Sequence, residues 1–134
     1  MSGSGAATDL VLVGGGHAHV HVLKSFGMTP EAGVRVTLVS REAETPYSGM
    51  LPGLIAGHYA HDECHIDLYR LARFAGARLL IAEAVGIDRA ERRLLLRGRP
   101  PLHYDLLSLD IGSTPKLAVP GAAEHAIPVK PIAE

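Results

Sequence analysis

The stretch VLVGGGHAHVHVL, Val11 to Leu23, decides how the rest of the chain is interpreted. A short apolar run ends in three glycines, which is typical of a loop that holds phosphate. The same stretch carries three alternate histidines, His17, His19 and His21, and histidine clusters also occur in metal sites. The two interpretations require different backbones, so the surrounding sequence has to decide between them.

The segments around the glycines predict a βαβ unit. Asp9 to Val13 shows no alternation of apolar and polar residues, which predicts a strand buried on both faces of a parallel sheet. Gly16 to about Met28 has apolar residues at helical spacing, and Val34 to Val39 is a second strand rich in β-branched residues. A strand, glycine turn, helix and strand within about 30 residues indicate parallel strands with a right-handed crossover.

A helix at this place favours phosphate over metal. Successive helical residues turn by about 100°, so His17 and His21 share a face while His19 points nearly opposite. Three histidines on one ion are then excluded, and a pair alone lacks the further ligands that zinc requires. Gly14 permits the tight turn, Gly16 permits close approach of a pyrophosphate, and the helix amino terminus supplies N–H groups. A glycine turn without a ligand is the third alternative; no metal site is predicted.

Two positions depart from the usual dinucleotide pattern. His19 stands at the third glycine of GxGxxG, which predicts wider packing of helix on strand or a side chain turned sideways. Ser40, followed by Arg41 and Glu42, stands where an acidic residue is expected about 20 residues further on. A serine hydroxyl can still hydrogen-bond a ribose, and Glu42 and Glu44 are the alternatives.

The rest of the chain predicts one α/β domain with a small antiparallel unit. In chain order the predicted elements are a short helix within Ser48–His58, an amphipathic helix over His65–Ala75 stopped by Gly76, a strand over Arg78–Ile87, a meander with turns at Asp88–Glu91 and Gly98–Pro101, and a buried strand over Leu106–Ile111. After Gly112 the prolines interrupt the sequence, and no element is predicted there.

Composition narrows the class of protein. Of the 134 residues, 47% are hydrophobic, which predicts a packed core. The 13 basic and 14 acidic residues give a formal charge of −1, which argues against nucleic acid as the main partner. No apolar run is long enough for a membrane span. The first residues, MSGSGAATD, lack the basic start and apolar segment of a secretory signal, so none is expected. Cys64 is the single cysteine, so an internal disulfide is excluded and a cytoplasmic setting is expected.

Five stretches, taken together and in order, resemble the FAD domain of the pyridine nucleotide-disulfide oxidoreductase superfamily: VLVGGGHAH, VTLVSRE, TPYSGMLPGLIAGHY, ARLLIAEAVGID and YDLLSLDIGSTP. The likeness is strongest to the NADH dehydrogenase-like flavoproteins. The segments GGGHAH and TPYSGMLPGLIAGHY are most similar to those of the oxidoreductase domain joined to bacterial selenide, water dikinase. This similarity implies a functional link to that enzyme. The resemblance runs from about Asp9 to Pro131. It implies a Rossmann-like α/β fold, FAD as cofactor, and NAD(P)H as co-substrate of the full-length protein.

The resemblance also implies which residues contact FAD. They are Gly14, Gly15 and Gly16 around the pyrophosphate, His17 as a further cofactor contact, Ser40 and Arg41 beside the adenosine ribose, Pro46, Ser48, Gly49, Met50 and Leu51 near the isoalloxazine ring, the Val85 backbone at the adenine, and Ile111 and Gly112 closing over the pyrophosphate. No catalytic side chain is implied. Asp110 stands where the family has a small residue, and because an unpaired buried carboxylate is costly it is expected to cap a turn or to face solvent.

The resemblance divides the chain into a flexible segment over 1–8, an incomplete FAD-binding domain over 9–113, and an extended linker over 114–134 toward a separate NAD(P)-binding domain. Such a fragment is expected to be inactive alone and to self-associate through apolar surface. The paired cysteines of the disulfide reductases are absent, so dithiol chemistry is not implied. The expected function is the FAD-binding portion of a flavin-dependent NAD(P)H oxidoreductase with an unidentified acceptor. The alternative is a non-redox nucleotide-binding or interaction module.

Overall fold

The computed structural model describes residues 7–46, 50–58, 60, 65–111 and 118–126. Its elements in chain order are β1 (Thr8–Val13), α1 (His17–Met28), β2 (Val34–Ser40), β3 (Glu44–Pro46), α2 (Leu51–Ile55), β4 (His65–Asp67), α3 (Leu68–Ala75), β5 (Arg78–Ile81), β6 (Ala84–Asp88), β7 (Arg93–Leu96), β8 (Arg99–His103), β9 (Leu106–Leu109) and α4 (Ala122–His125). A parallel sheet has the order β5-β2-β1-β9, and two antiparallel sheets contain β3-β4 and β6-β7-β8. The predicted Rossmann-like α/β class with an antiparallel meander is confirmed.

β1 lies inside the parallel sheet, between β2 and β9. The side chains of Val11, Leu12 and Val13 alternate between its two faces, and all three are buried. This double burial is why the segment shows an unbroken apolar run instead of alternation. The predicted ends of β1, α1 and β2 are confirmed to within one residue.

The two faces of the sheet are covered by different elements. On one face, Leu23 of α1 and Leu68 of α3 pack with Leu12 and are fully buried. On the other face, the meander covers the sheet, with Leu94 packed in the same buried cluster as Val13. The helices and the meander therefore pack against β1 from opposite sides. They cover the two faces of the sheet but not the ends of its strands, where the loops begin.

The amphipathic helix predicted from His65 begins three residues later, at Leu68. The first three residues instead form β4, which pairs antiparallel with β3. Asp67 is the last residue of β4 and also caps the helix that follows. Its carboxylate accepts a hydrogen bond from the Tyr69 amide at 2.9 Å. The predicted stop is confirmed, since Gly76 has a φ of 68° at the carboxyl end.

The single strand predicted over Arg78–Ile87 is wrong, because two strands of different sheets occupy it. β5 stays beside β2 in the parallel sheet, and the Ala82 amide donates a hydrogen bond to the Ser40 carbonyl at 2.9 Å as β5 ends. The chain then leaves that sheet and β6 begins the meander. Apolar residues continue across the break, so the sequence pattern contains no boundary to read.

The second turn of the meander is shorter than predicted. It consists of Arg97 and Gly98, and Gly98 has a φ of 67°. Pro100 and Pro101 lie in β8 instead of in the turn. Proline has no N–H to donate to a neighbouring strand. Both prolines are tolerated in β8 because it is an edge strand of its sheet.

Two short helices lie outside the sheets. α2 falls within the predicted segment Ser48–His58, of which residues 48 and 49 are outside the described part. α4 is a correction, because no element was predicted after Gly112. In the part of the chain that the structure describes, no helix is long and apolar enough to cross a membrane.

Leu23→Ala is expected to lower the free energy of unfolding by about 2–5 kcal/mol, because it leaves a cavity under α1. Lys24→Ala changes the exposed next residue of the same helix and should cost less than about 0.5 kcal/mol. Urea unfolding followed by circular dichroism measures both variants. Equal, small losses would show that α1 is not packed on the sheet as described.

Candidate functional site

The glycine loop lies at the edge of the sheet where the parallel strands end. β1, β2, β5 and β9 all have their carboxyl ends there. The Gly14 amide donates a hydrogen bond to the Val39 carbonyl at 2.8 Å, which ties the loop to β2. Ligands of open α/β sheets bind at this kind of edge, so the loop stands in the expected place for a ligand site.

Gly14 allows the end of β9 to lie directly against the loop. It has a φ of 97°, and a side chain there would collide with the Asp110 carbonyl. The Asp110 amide donates to the Val13 carbonyl at 2.8 Å, and the Asp110 carbonyl accepts from the Gly16 amide at 3.3 Å. Glycine is therefore required at position 14 by the chain's own backbone as well as by the tight turn.

Gly15 lets two further elements approach the loop. A Cβ atom at Gly15 would lie 3.0 Å from Leu68 Cδ1 and 3.3 Å from Thr45 Cβ. The start of α3 and strand β3 are thus packed against the loop. Pro46 follows Thr45 directly, so its backbone lies one residue from this contact.

His19 replaces the third glycine with a side chain turned sideways toward β9. The side chain is 2% exposed. Its Nδ1 atom lies 2.8 Å from the Gly14 carbonyl, and its Nε2 atom lies 2.8 Å from Ser108 Oγ. Because a carbonyl only accepts, Nδ1 carries the proton, and in the neutral ring Nε2 accepts from the serine hydroxyl. Of the two predicted alternatives, the sideways ring is the one observed.

The alternate histidines do not face one point. His17 and His21 are exposed on α1, whereas His19 is buried under it. The helical geometry that argued against a shared ion is confirmed, since the helix begins at His17. The glycine loop, and not a histidine cluster, is the feature of this stretch that offers a binding geometry.

The amino end of α1 is capped from a distant part of the chain. The helix has no acidic residue in its first turn, and Gly16 at the cap position has no side chain to donate or accept. Asp110 Oδ2 accepts a hydrogen bond from the His19 amide at 3.2 Å, and the carboxylate occupies the space into which a Gly16 side chain would project. The positive end of the helix dipole favours an anion there. Asp110 was expected to cap a turn or to face solvent; it acts as a cap, but on the start of helix α1 and not on a turn.

Two amide donors remain for a ligand at this helix end. The amides of Gly15 and Ala18 have no acceptor within residues 7–46, 50–58, 60, 65–111 and 118–126. Backbone donors at the start of a 12-residue helix suit a phosphate group. The residues present therefore fit the pyrophosphate of a dinucleotide through their backbone, with the Asp110 carboxylate as a neighbouring negative charge.

Ser40 uses its hydroxyl within its own turn. Ser40 Oγ donates to the Glu42 carbonyl at 2.7 Å and accepts from the Glu42 amide at 3.3 Å. The side chain is buried, whereas Arg41 is exposed. Ser40 thus shapes the loop after β2, and both Arg41 and Glu42 have exposed side chains at this edge.

The remaining predicted cofactor residues lie in several places. Val85 is exposed on β6, in the meander that follows β5. Ile111 is 75% exposed and follows Asp110 directly. Met50 is half-buried just before α2. Ser48, Gly49 and Gly112 lie outside the described residues, and the side chains of Pro46 and Leu51 lie outside the described side chains.

A polar cluster that sequence analysis missed lies at the opposite edge of the sheet. The Asp9 amide donates to Asp105 Oδ2 at 2.7 Å, and Arg35 donates two hydrogen bonds to the Asp9 carboxylate, at 2.8 and 3.1 Å. His103 Nε2 lies 3.4 Å from Asp105 Oδ1. The Asp9 amide, followed by His103, holds the pKa of Asp105 below its usual range. Asp9 and Asp105 are far apart in sequence, so no spacing motif could have revealed the cluster.

The cluster could also hold a metal ion by distance. Among the described residues, possible ligand atoms lie close enough to share an ion in one group, which consists of Asp9, His103 and Asp105. Arg35 already supplies positive charge to this group through the Asp9 carboxylate. The hydrogen bonds of the cluster join the start of β1 to the start of β9. We therefore assign it a structural role in holding the two strands in register.

Comparison with known proteins agrees with this geometry. A family model described as pyridine nucleotide-disulphide oxidoreductase matches residues 8–134. No curated protein sequence matches the chain significantly. Similar solved structures include sulfide:quinone oxidoreductase from the hyperthermophilic bacterium Aquifex aeolicus, with TM-score 0.70 and 22% identity over 88% of this chain and 27% of that one.

Two other similar structures are NDH2 from Plasmodium falciparum in complex with NADH and NADH:rubredoxin oxidoreductase from Clostridium acetobutylicum. The first has TM-score 0.72 and 17% identity, over 87% of this chain and 25% of that one. The second has TM-score 0.66 and 19% identity, over 85% of this chain and 30% of that one. The present chain thus spans less than a third of each of these proteins, and at these identities the likeness shows the fold.

His19→Ala is expected to lower the free energy of unfolding by about 2–4 kcal/mol. The change removes a buried ring and leaves the Gly14 carbonyl and the Ser108 hydroxyl without their partner. His21→Ala, on the exposed side of the same helix, is the matched control and should cost less than about 0.5 kcal/mol. Chemical denaturation of both variants measures the difference, and similar costs would contradict the proposed clamp between α1 and β9.

Asp105→Asn is expected to lower stability at pH 7, because the carboxylate is the better partner for the Asp9 amide and for His103. The folded-state pKa of Asp105 lies below its unfolded value, so the carboxylate stabilises the fold above the unfolded pKa of about 3.9. That stabilisation is lost as the pH falls through the folded pKa. The urea midpoints of wild type and variant should therefore differ above the unfolded pKa and draw together as the pH falls below it; a gap that stays constant on such acidification would contradict this assignment.

Proposed function

We propose that this chain, which belongs to the pyridine nucleotide-disulphide oxidoreductase family, is the FAD-binding portion of a flavin-dependent NAD(P)H oxidoreductase. The observation that carries the proposal is the glycine loop between β1 and α1. It leaves the amides of Gly15 and Ala18 without an acceptor in the described chain, at the edge where such sheets bind ligands. A dinucleotide pyrophosphate is the group whose charge and oxygen atoms suit these donors.

The proposed contacts are those that the resemblance to the family implies. They are Gly14, Gly15, Gly16 and His17 at the pyrophosphate, Ser40 and Arg41 beside the ribose, Pro46, Ser48, Gly49 and Met50 near the isoalloxazine ring, Val85 at the adenine, and Ile111 and Gly112 over the pyrophosphate. When bound, flavin supplies hydride acceptance from NAD(P)H and onward electron transfer. The chain's own residues are proposed to bind and orient it, and none is assigned as a proton donor or nucleophile.

Two residues, Gly14 and His19, hold the loop in its shape. Gly14 ties it to β2 through the Val39 carbonyl, and His19 ties it to β9 through Ser108. The site is therefore preorganised by contacts on both neighbours of β1, and a ligand does not have to order the loop.

The activity of a whole enzyme is a further proposal, since the chain spans 25–30% of the length of the similar structures named above. We propose residues 9–113 as the FAD-binding part and 114–134 as a linker toward an NAD(P)-binding domain. The 134-residue chain alone is proposed to be cytoplasmic, to lack turnover, and to self-associate through exposed apolar residues such as Leu106 and Leu109. The resemblance of the GGGHAH motif supports a functional link to selenide, water dikinase.

A non-redox nucleotide-binding module is the second candidate. The donors that the glycine loop offers are backbone amides, and such donors suit the phosphate of any nucleotide. Titration with FAD and with other nucleotides separates the two candidates.

FAD titrated into the 134-residue chain is expected to give saturable binding with a bound-flavin absorption spectrum. Gly16→Val should weaken it at least tenfold, because the added side chain would collide with the Asp110 carboxylate and distort the loop at the place where a phosphate would approach it. Gly33→Ala is the control: Gly33 has a φ of 78° but open space around it, so the change strains the backbone away from the loop. Absence of saturable FAD binding by the wild-type chain would contradict the proposed function.

A further inference from the structure

We infer that Asp110 lowers the affinity of the site for its ligand: its carboxylate is an internal anion that competes with the pyrophosphate for the amino end of α1. This inference rests on the proposed function, since it concerns the same loop. It goes further by naming a residue that works against the ligand, and by stating how that residue acts.

The position of the Asp110 carboxylate carries the inference. Oδ2 accepts from the His19 amide at 3.2 Å, so one donor of the first turn of α1 is already occupied. The carboxylate also fills the space beside Gly16, which is the space that a glycine leaves open for a phosphate. An aspartate at this place therefore does, within the chain, what the pyrophosphate is proposed to do from outside.

The charge of Asp110 has no cationic partner in the described part of the chain. The ion pairs found there join other carboxylates to Arg35, Arg70, Arg93, Arg97 and His103. The helix end and the His19 amide are what stabilise the charge of Asp110. A pyrophosphate at the same helix end would place two more negative charges beside a carboxylate that forms no ion pair within the described residues.

Asp110 can weaken ligand binding in two ways, by charge repulsion and by competition for the His19 amide, and two variants separate these effects. Asp110→Asn removes the charge but keeps an oxygen that can accept from the His19 amide. Asp110→Ala removes both the charge and the competing acceptor. Repulsion predicts tighter binding for both variants, and competition for the amide predicts that the alanine variant binds at least as tightly as the asparagine variant.

The experiment measures FAD affinity of the 134-residue chain by flavin fluorescence, for wild type, Asp110→Asn and Asp110→Ala. Asp105→Asn is the matched control, because it removes the same charge at the other end of β9, on the far edge of the sheet. Both Asp110 variants are expected to bind FAD about tenfold more tightly than wild type, and the control is expected to stay within twofold. Circular dichroism melting of each free chain reports whether the fold is retained.

A salt series supplies a readout that a purely structural effect would not move. Charge repulsion is screened by salt, so the affinity ratio of Asp110→Asn to wild type should fall between 50 mM and 500 mM NaCl. A ratio that starts within twofold of one, or weaker binding by both Asp110 variants, would overturn the inference while FAD binding by wild type still stands. Failure of the wild-type chain to bind FAD would overturn the proposed function itself, and with it the inference.

Discussion

The contact between the Gly14 and Asp110 backbones is the constraint on which the site depends. β9 can end against the loop only because position 14 has no side chain, and the Asp110 amide then extends the pairing of β9 with β1 by one residue at Val13. The Asp110 carbonyl in turn accepts from the Gly16 amide. The turn, the start of α1 and the end of the sheet are thus built as one unit, and none of the three can shift without the others.

This construction uses some of the donors that make a glycine loop attractive to phosphate. Gly16 and His19 give their amides to Asp110, whereas those of Gly15 and Ala18 remain. Stability of the free chain and affinity for an anionic ligand therefore depend on the same atoms. A helix end that is well capped from inside binds an outside anion less strongly, because the favourable field of the dipole is already partly compensated.

The local part of this fold could be predicted from the sequence, and the long-range part could not. The βαβ unit follows from patterns within about 30 residues, so β1, α1 and β2 are placed correctly. The break between β5 and β6 was missed because apolar residues run through it, and β4 was missed because its pairing with β3 overrides the helical pattern. For the site, the glycines and the departure at His19 were visible, but its partner Ser108 lies 89 residues away.

The sequence separation between α1 and its cap has a consequence for synthesis on the ribosome. The His19 amide and the Asp110 carboxylate are 91 residues apart, so the helix leaves the exit tunnel long before its cap has been made. Until then, helices α1 and α3 and strands β1 and β2 can pack by their own apolar faces. The start of α1 meanwhile carries an uncompensated positive field. The nascent chain passes through a stage in which anions have freer access to this helix end than they have in the finished protein.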